Sequence, residues 1–288
     1  MQDQETTDNP YASKKSAYYA LVLLTIVYSF NFIDRQLLAI LQESVKADLD
    51  LSDSQLGLLT GFAFAAFYVI AGIPIARWAD RGNRRNIVAL SLFLWSFMTA
   101  LSGAVMNYTQ LLLVRIGVGI GEAGGSPPSH SMISDIFPPT ERASAIGFYS
   151  MGVSIGILFG FLAGGWLNEY FGWRVAFIVV GAPGILLAII VRMSIAEPIR
   201  GLVEHRQVVD TPVPMMEVVS LLWSRRSFRH MAMGAALNAF AGYSISNWIA
   251  SFMIRSHGMS TGELGTWLAL TIGLGGAVGV FCGALLAD

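Results

Sequence analysis

Residues 29–40 read SFNFIDRQLLAI, inside an almost unbroken apolar run from Ala17 to Leu41. An acid and a base, Asp34 and Arg35, stand side by side where the run is long enough to cross a bilayer. Either charge at mid-membrane costs a few kcal/mol on insertion scales. Something must offset that cost, and the rest of the chain shows what is available.

Composition narrows the class. Hydrophobic residues make up 54% and charged residues 13% of 288, with a mean hydropathy of +0.58. Soluble domains carry about 25% charged residues, so this chain has too few to cover a water-facing surface. A net charge of −1 offers no basic field for nucleic acid. The single cysteine, Cys282, excludes a disulfide framework or a Cys-based metal site. The polar, acidic first fifteen residues lack the pattern of a cleavable signal peptide. The class is an all-α, polytopic membrane protein.

Eight stretches are long and apolar enough for spans of about 20 residues: about 17–41, 54–79, 86–106, 109–136, 144–167, 173–193, 230–254 and 263–287. They are far longer than the ~10 alternating residues of a barrel strand. With the N-terminus inside, Lys14, Lys15, Arg77, Arg81, Arg84, Arg85, Arg142, Arg192, Arg200, Arg206, Arg225, Arg226 and Arg229 fall on the cytoplasmic side. Only Lys46, Arg174 and Arg255 fall outside, a clear positive-inside bias. Residues 1–16 are then a cytoplasmic tail, 17–193 a six-helix bundle, 194–229 a cytoplasmic linker with Pro198, Pro212 and Pro214, and 230–288 two further helices.

The loop after the second span reads ARWADRGNRR, residues 76–85. It resembles the signature of major facilitators, G-x-L-A-D-R-x-G-R-R, with Asp80, Arg81, Arg84 and Arg85 in register and Ala76 and Asn83 at the two glycine positions. The resemblance implies a cytoplasmic latch, with Asp80 binding across to a neighbouring helix. IARWAD (75–80) is echoed by GALLAD (283–288), 208 positions later (288 − 80). Major facilitators duplicate their halves in this way. The resemblance therefore implies twelve helices, of which eight are here. FPPTERASA (137–145) and FGWRVAF (171–177) look like the family's loop between helices 4 and 5 and its entry to helix 6. Gly152, Gly156 and Gly160, followed by Gly164 and Gly165, form a small-residue stripe on which another helix can pack closely. In the family such a stripe is a pivot between bundles.

The fourth span holds VRIGVGIGEAGG, residues 114–125. Arg115 and Glu122 are two helical turns apart on nearly one face, and Gly119 between them is expected to leave that face open. At 1.5 Å per residue, Asp34 lies about 24 Å up the first span and Arg115 about 8 Å below the outer edge. The two reach similar depth in a ~30 Å core, so an Asp34–Arg115 pairing facing a cavity is expected. A paired acid whose cavity opens and closes can take and release protons. That makes Asp34 and Glu122 candidates for proton coupling, with Arg35 and Arg115 as anion binders or counter-charges. His130 is expected to be interfacial. In the seventh span Asn238, Gly242 and Ser246 make a mild polar stripe near Tyr243 and Trp248.

NFIDR (31–35), GIGEA (119–123) and SDIFPPTERA (134–143) together resemble the spinster-like major facilitators, which move lysolipids and sphingoid phosphates. Proton-coupled organic-anion (sugar acid) symporters of the same superfamily share the Asp-Arg and Arg…Glu features, and that alternative stays open. The spinster-like reading implies an anionic amphiphile as substrate, with Asn31, Phe30, Tyr68, Asn238, Tyr243 and Ser246 as candidate cavity lining. A transport-inactive scaffold would be expected to have lost the acids. No HExxH or other catalytic set argues for an enzyme. The expected partners are a small-molecule or lipid substrate, protons and the bilayer. No cofactor or nucleic acid is expected, and the protein is expected to be a monomer in a bacterial inner membrane.

Overall fold

The computed structural model describes residues 9–203, 215–279 and 282. GALLAD, Arg206, Pro212 and Pro214 lie outside the described residues. Among those described, every regular element is helical. Helix α1 (Lys14–Leu49) has 36 residues, about 54 Å at 1.5 Å per residue. It exceeds a ~30 Å hydrocarbon core. It opens where the Ser13 side chain accepts from Lys15 N and closes at Asp50 in a left-handed conformation.

A Ser52–Gln55 capping box starts the second span. It runs as α2 (Asp53–Gly57), a π turn (Leu58–Phe62) and α3 (Ala63–Arg81). Asn83 caps α4 (Arg84–Ser102) by accepting from Asn86 N. The fourth span is not the single helix expected over 109–136. It divides into α5 (Tyr108–Glu122) and α6 (Ser126–Ile136). Pro127 and Pro128 cannot donate to a preceding turn, so they can begin a helix but not continue one.

Pro139 starts α7 (Pro139–Phe171), and Gly172, at φ 82°, turns the chain into α8 (Trp173–Ser194). After the gap come α9 (Met215–Ser224), α10 (Arg226–His257) and α11 (Thr261–Leu268), which continues into a π turn (Ala269–Leu274). Among the described residues, five helices are long and apolar enough to cross a membrane: α1, the second span, α4, α7 and α8. With 32 residues α10 is long enough but is not among them. Its arginines, asparagines and serines dilute the apolar run.

Two apolar cores are stacked along α1. Leu21 and Leu24 pack with Trp95 and Tyr149 toward the Lys14 end. Leu37 to Leu41 pack with Phe161, Phe177 and Leu264 toward the Leu49 end. Buried polar groups, among them Ser29, Asn31, Asp34, Thr99, Arg115 and Glu122, lie in the stretch between. The glycine stripe seats α7 on α1. A Cβ at Gly152 would lie 2.8 Å from the Thr25 carbonyl oxygen, and one at Gly160 2.9 Å from that of Ile33. The stripe then changes partner: a Cβ on Gly165 would come within 3.0 Å of Gly265 Cα on α11.

Candidate functional site

The charged groups of the opening stretch face into the buried layer between the cores. Arg35 Nε donates to Glu122 Oε2 at 2.7 Å and Nη1 to the Tyr243 hydroxyl at 3.1 Å. Its guanidinium lies over the Phe32, Phe64 and Tyr68 rings at 5.1, 5.1 and 5.3 Å. Arg115, 2% exposed, lies 5.7 Å from the Phe64 ring centre. The Thr99 hydroxyl donates to Asp34 Oδ2 at 2.5 Å. Four elements of the first six spans and one helix beyond them therefore meet at this layer.

The pairing differs from the one read from depth. Successive helical residues point about 100° apart. Asp34 accordingly turns to α4 and Thr99, while Arg35 turns to α5 and Glu122. No Asp34–Arg115 hydrogen bond or ion pair forms, although Arg115 and Arg35 are both within electrostatic range of Asp34. Gly119 does not leave its face open: a Cβ there would lie 3.0 Å from the Phe64 backbone oxygen, so α3 fills the space. Asp34 Oδ1, Glu122 Oε1 and Arg115 Nε and Nη1 are buried without a hydrogen-bond partner among the described residues. Such groups usually find one, and here they bring both signs of charge together in one site.

Other candidate lining residues are dispersed. Tyr68 and Tyr243 touch Arg35, and Asn31 is buried on α1. Phe30 instead lines a separate apolar cavity of about 490 Å³ between α1, α7 and α8, beside Ile33, Ala163 and Pro183. Asn238 is exposed and Ser246 half-buried, and neither is a hydrogen-bond partner of the charged cluster. His130 packs edge-on against Tyr149, ring centres 5.0 Å apart, away from the cluster. Thr99 was not anticipated. Its signal was a polar stripe, Ser91, Thr99 and Ser102, along one face of α4.

At the Lys14 end the residues expected to form a latch are arranged differently from that expectation. Arg84, 1% exposed, donates through Nε to Glu197 at 2.8 Å, through Nη1 to Asp135 and to Ser131 at 2.8 Å, and through Nη2 to the Pro198 carbonyl at 2.8 Å. Arg85 N donates to Glu197 at 2.8 Å. Asp80 makes no side-chain hydrogen bond among the described residues; its backbone carbonyl accepts from Arg200, and Arg81 is exposed. Asp80 is exposed in the last turn of α3, whereas Arg84 opens α4 and points under α6. Tyr11 donates to the Ala196 carbonyl at 2.5 Å, and burial pushes its phenol up to about 12.

The Leu49 end is tied across to α10 and α11. Arg255 bridges Glu43 at 2.8 Å and Asp53 at 2.6 Å. Gln42 Nε2 donates to Ser251 Oγ at 2.5 Å and to the Asn247 carbonyl at 2.8 Å. Thr261 and Gly262 N donate to Glu169 at 3.1 and 3.2 Å. Toward its other end, by contrast, α10 is exposed from Arg226 through Ile245.

Long apolar helices packed around a buried ion pair define an integral, multi-pass membrane protein. Residues 24–288 match the model of the Major Facilitator Superfamily, and the chain belongs to that family. It is 39% identical to a bacterial homologue of the human lysosomal transporter Spinster, solved in an inward-facing and unoccupied conformation. The TM-score is 0.83, covering 96% of this chain and 63% of that one. An MFS-type efflux pump of Mycolicibacterium smegmatis is 34% identical over 99% of this chain and 66% of its own length. A probable galactarate/D-glucarate transporter, GudP, of Bacillus subtilis is 29% identical over 96% of this chain and 66% of its own. The chain thus spans about two thirds of the length of these relatives.

Proposed function

We propose that the full-length protein is a proton-coupled secondary transporter working by alternating access, with an anionic amphiphile such as a lysolipid or sphingoid phosphate as substrate. The observation that carries this reading is the buried Arg35–Glu122 ion pair with Asp34 one residue away and Arg115 within electrostatic range. Ionised Glu122 holds the Arg35 guanidinium. A proton on Glu122 removes that hold and frees Arg35, with Arg115, for the anionic head of a substrate whose tail lies against Phe32, Phe64 and Tyr68. Return of the carboxylate's charge expels the anion. A guanidinium suits this exchange because it stays charged throughout. The likeness to the bacterial Spinster homologue supports a spinster-like transporter, and the lipid class rests on the resemblance of NFIDR, GIGEA and SDIFPPTERA to that branch.

The same reading sets the Lys14 end in the cytoplasm, in a bacterial inner membrane, and takes the chain as eight of twelve helices. The ties at the Leu49 end support a state open toward the cytoplasm. A sugar-acid symporter is the second reading, favoured by the likeness to the galactarate/D-glucarate transporter. In liposomes under an imposed pH gradient, the full-length protein accumulates lysolipid rather than galactarate. Asp34→Asn and Glu122→Gln abolish pH-driven accumulation while leaving the protein folded. Full pH-driven uptake by either variant contradicts the coupling role, and galactarate uptake alone contradicts the substrate class.

A further inference from the structure

We infer that Thr99 is a positioning residue for the proton at Asp34, its single hydroxyl hydrogen turning between the Asp34 carboxylate and the Trp95 carbonyl as Asp34 gains or loses charge. The inference rests on the proposed role of Asp34 in proton coupling.

Thr99 Oγ1 lies 2.5 Å from Asp34 Oδ2 and 2.9 Å from the Trp95 carbonyl oxygen. Thr99 and Asp34 are each 2% exposed. A hydroxyl has one hydrogen to give and two lone pairs to receive with, whereas an ionised carboxylate only accepts. With Asp34 ionised, the hydrogen of Thr99 must point at Oδ2. With Asp34 protonated, its O–H donates to Thr99 Oγ1, and the Thr99 hydrogen turns to Trp95. Both states keep the pair hydrogen-bonded, and the change of charge on α1 is registered as a bond gained or lost at the α4 backbone.

Ordinary hydroxyls in this bundle behave otherwise. Thr25, Ser29 and Ser102 each donate to the carbonyl four residues back and have no carboxylate within reach, a common arrangement for Ser and Thr in helices. The turn of α4 that holds Thr99 is also clamped on two sides. A Cβ at Gly121 on α5 would lie 2.7 Å from Trp95 N, and one at Gly181 on α8 2.8 Å from the Ser96 carbonyl oxygen. The hydrogen can swing while the heavy atoms stay in place. The charged groups facing Asp34 are Arg35 on its own helix and Arg115 and Glu122 on α5. Tyr68 on α3 and Tyr243 on α10 face Arg35. From α4 the partner is Thr99 alone among the described residues.

The test is an infrared titration of the full-length protein in lipid, following the carboxylic-acid C=O band that Asp34→Asn removes. A hydrogen bond to a charged acceptor is about twice as strong as a neutral one, so losing the donor penalises the ionised form more. Thr99→Val therefore moves the midpoint of that band upward by about half a pH unit to one unit, roughly threefold to tenfold in the protonation equilibrium. Thr99→Ala does the same if valine disturbs folding, and Thr99→Ser retains the wild-type midpoint. An unchanged midpoint in Thr99→Val and Thr99→Ala overturns the inference and leaves the coupling role of Asp34 standing. A midpoint displaced equally by Thr99→Ser assigns the effect to packing and also overturns it. If Asp34→Asn removes no titrating band, the inference and the coupling reading fall together.

Discussion

Arg35 and Asp34 are neighbours in sequence but belong to different contacts, and that separation is the central fact at the scale of the residue. One turns to Glu122 and the aromatic rings, the other to Thr99. The charges were legible in the sequence because each interrupts an apolar span, where an ionisable group is rare and costly. Their partners were not. Depth along a helix places two groups at one level but leaves their rotation about the helix axis open, and rotation decided that Glu122 meets Arg35. Glycines carry information at the same scale. A Cβ at Gly156 would press into the Ser29 backbone and the Phe32 side chain. Gly156→Val is therefore expected to destabilise the fold by about 1–3 kcal/mol through overpacking, read as a lowered melting temperature in detergent. Gly147→Ala, inside α7 where a Cβ meets nothing within 4 Å, does not lower the melting temperature and is expected to raise it slightly.

At the scale of the element, the helix boundaries follow from local chemistry that the sequence displays: Ser13, Ser52, Asn83 and Ser260 as caps, Pro139 at a helix start, Gly172 at a turn. The break between α5 and α6 was equally visible in Pro127 and Pro128, but the continuous apolar character across it argued for one span. The Arg84 cluster shows the opposite limit. Its arginines were recognisable from their spacing, whereas Glu197 and Asp135 lie 113 and 51 positions from Arg84 in the chain. Arg84 is almost fully buried between those carboxylates, so removing it leaves uncompensated charge. Arg84→Met should cost about 3 kcal/mol, toward the low end for a buried pair because Asp135 and Glu197 keep some contact with water. Arg81→Ala, at an exposed position, should stay within about 0.5 kcal/mol. Thermal unfolding of the two variants side by side checks the contrast.

At the scale of the whole molecule, the first six spans meet α10 and α11 mainly at the Leu49 end, through Arg255, Ser251, Thr261 and the Gly165–Gly265 contact. The side-chain ties among them are polar and partly exposed, suited to breaking and re-forming, whereas the α1–α7 seam is closely packed backbone. A rocking motion would therefore part the former and preserve the latter. Arg255→Ala is expected to widen the distance between spin labels at Asp48→Cys and His257→Cys, in a Cys282→Ser background, in a larger share of molecules than the parent. An unchanged distance distribution would show that the Arg255 bridges do not hold this end closed.

Proton movement measured on adding substrate, without any imposed gradient, probes the central claim most directly. Proteoliposomes holding the full-length protein and a trapped pH dye are given external lysolipid. The account predicts a prompt internal pH change with the parent protein and none with Glu122→Gln or Asp34→Asn. A parent-sized change in either variant would contradict the assignment of proton coupling to the charged layer between the two cores.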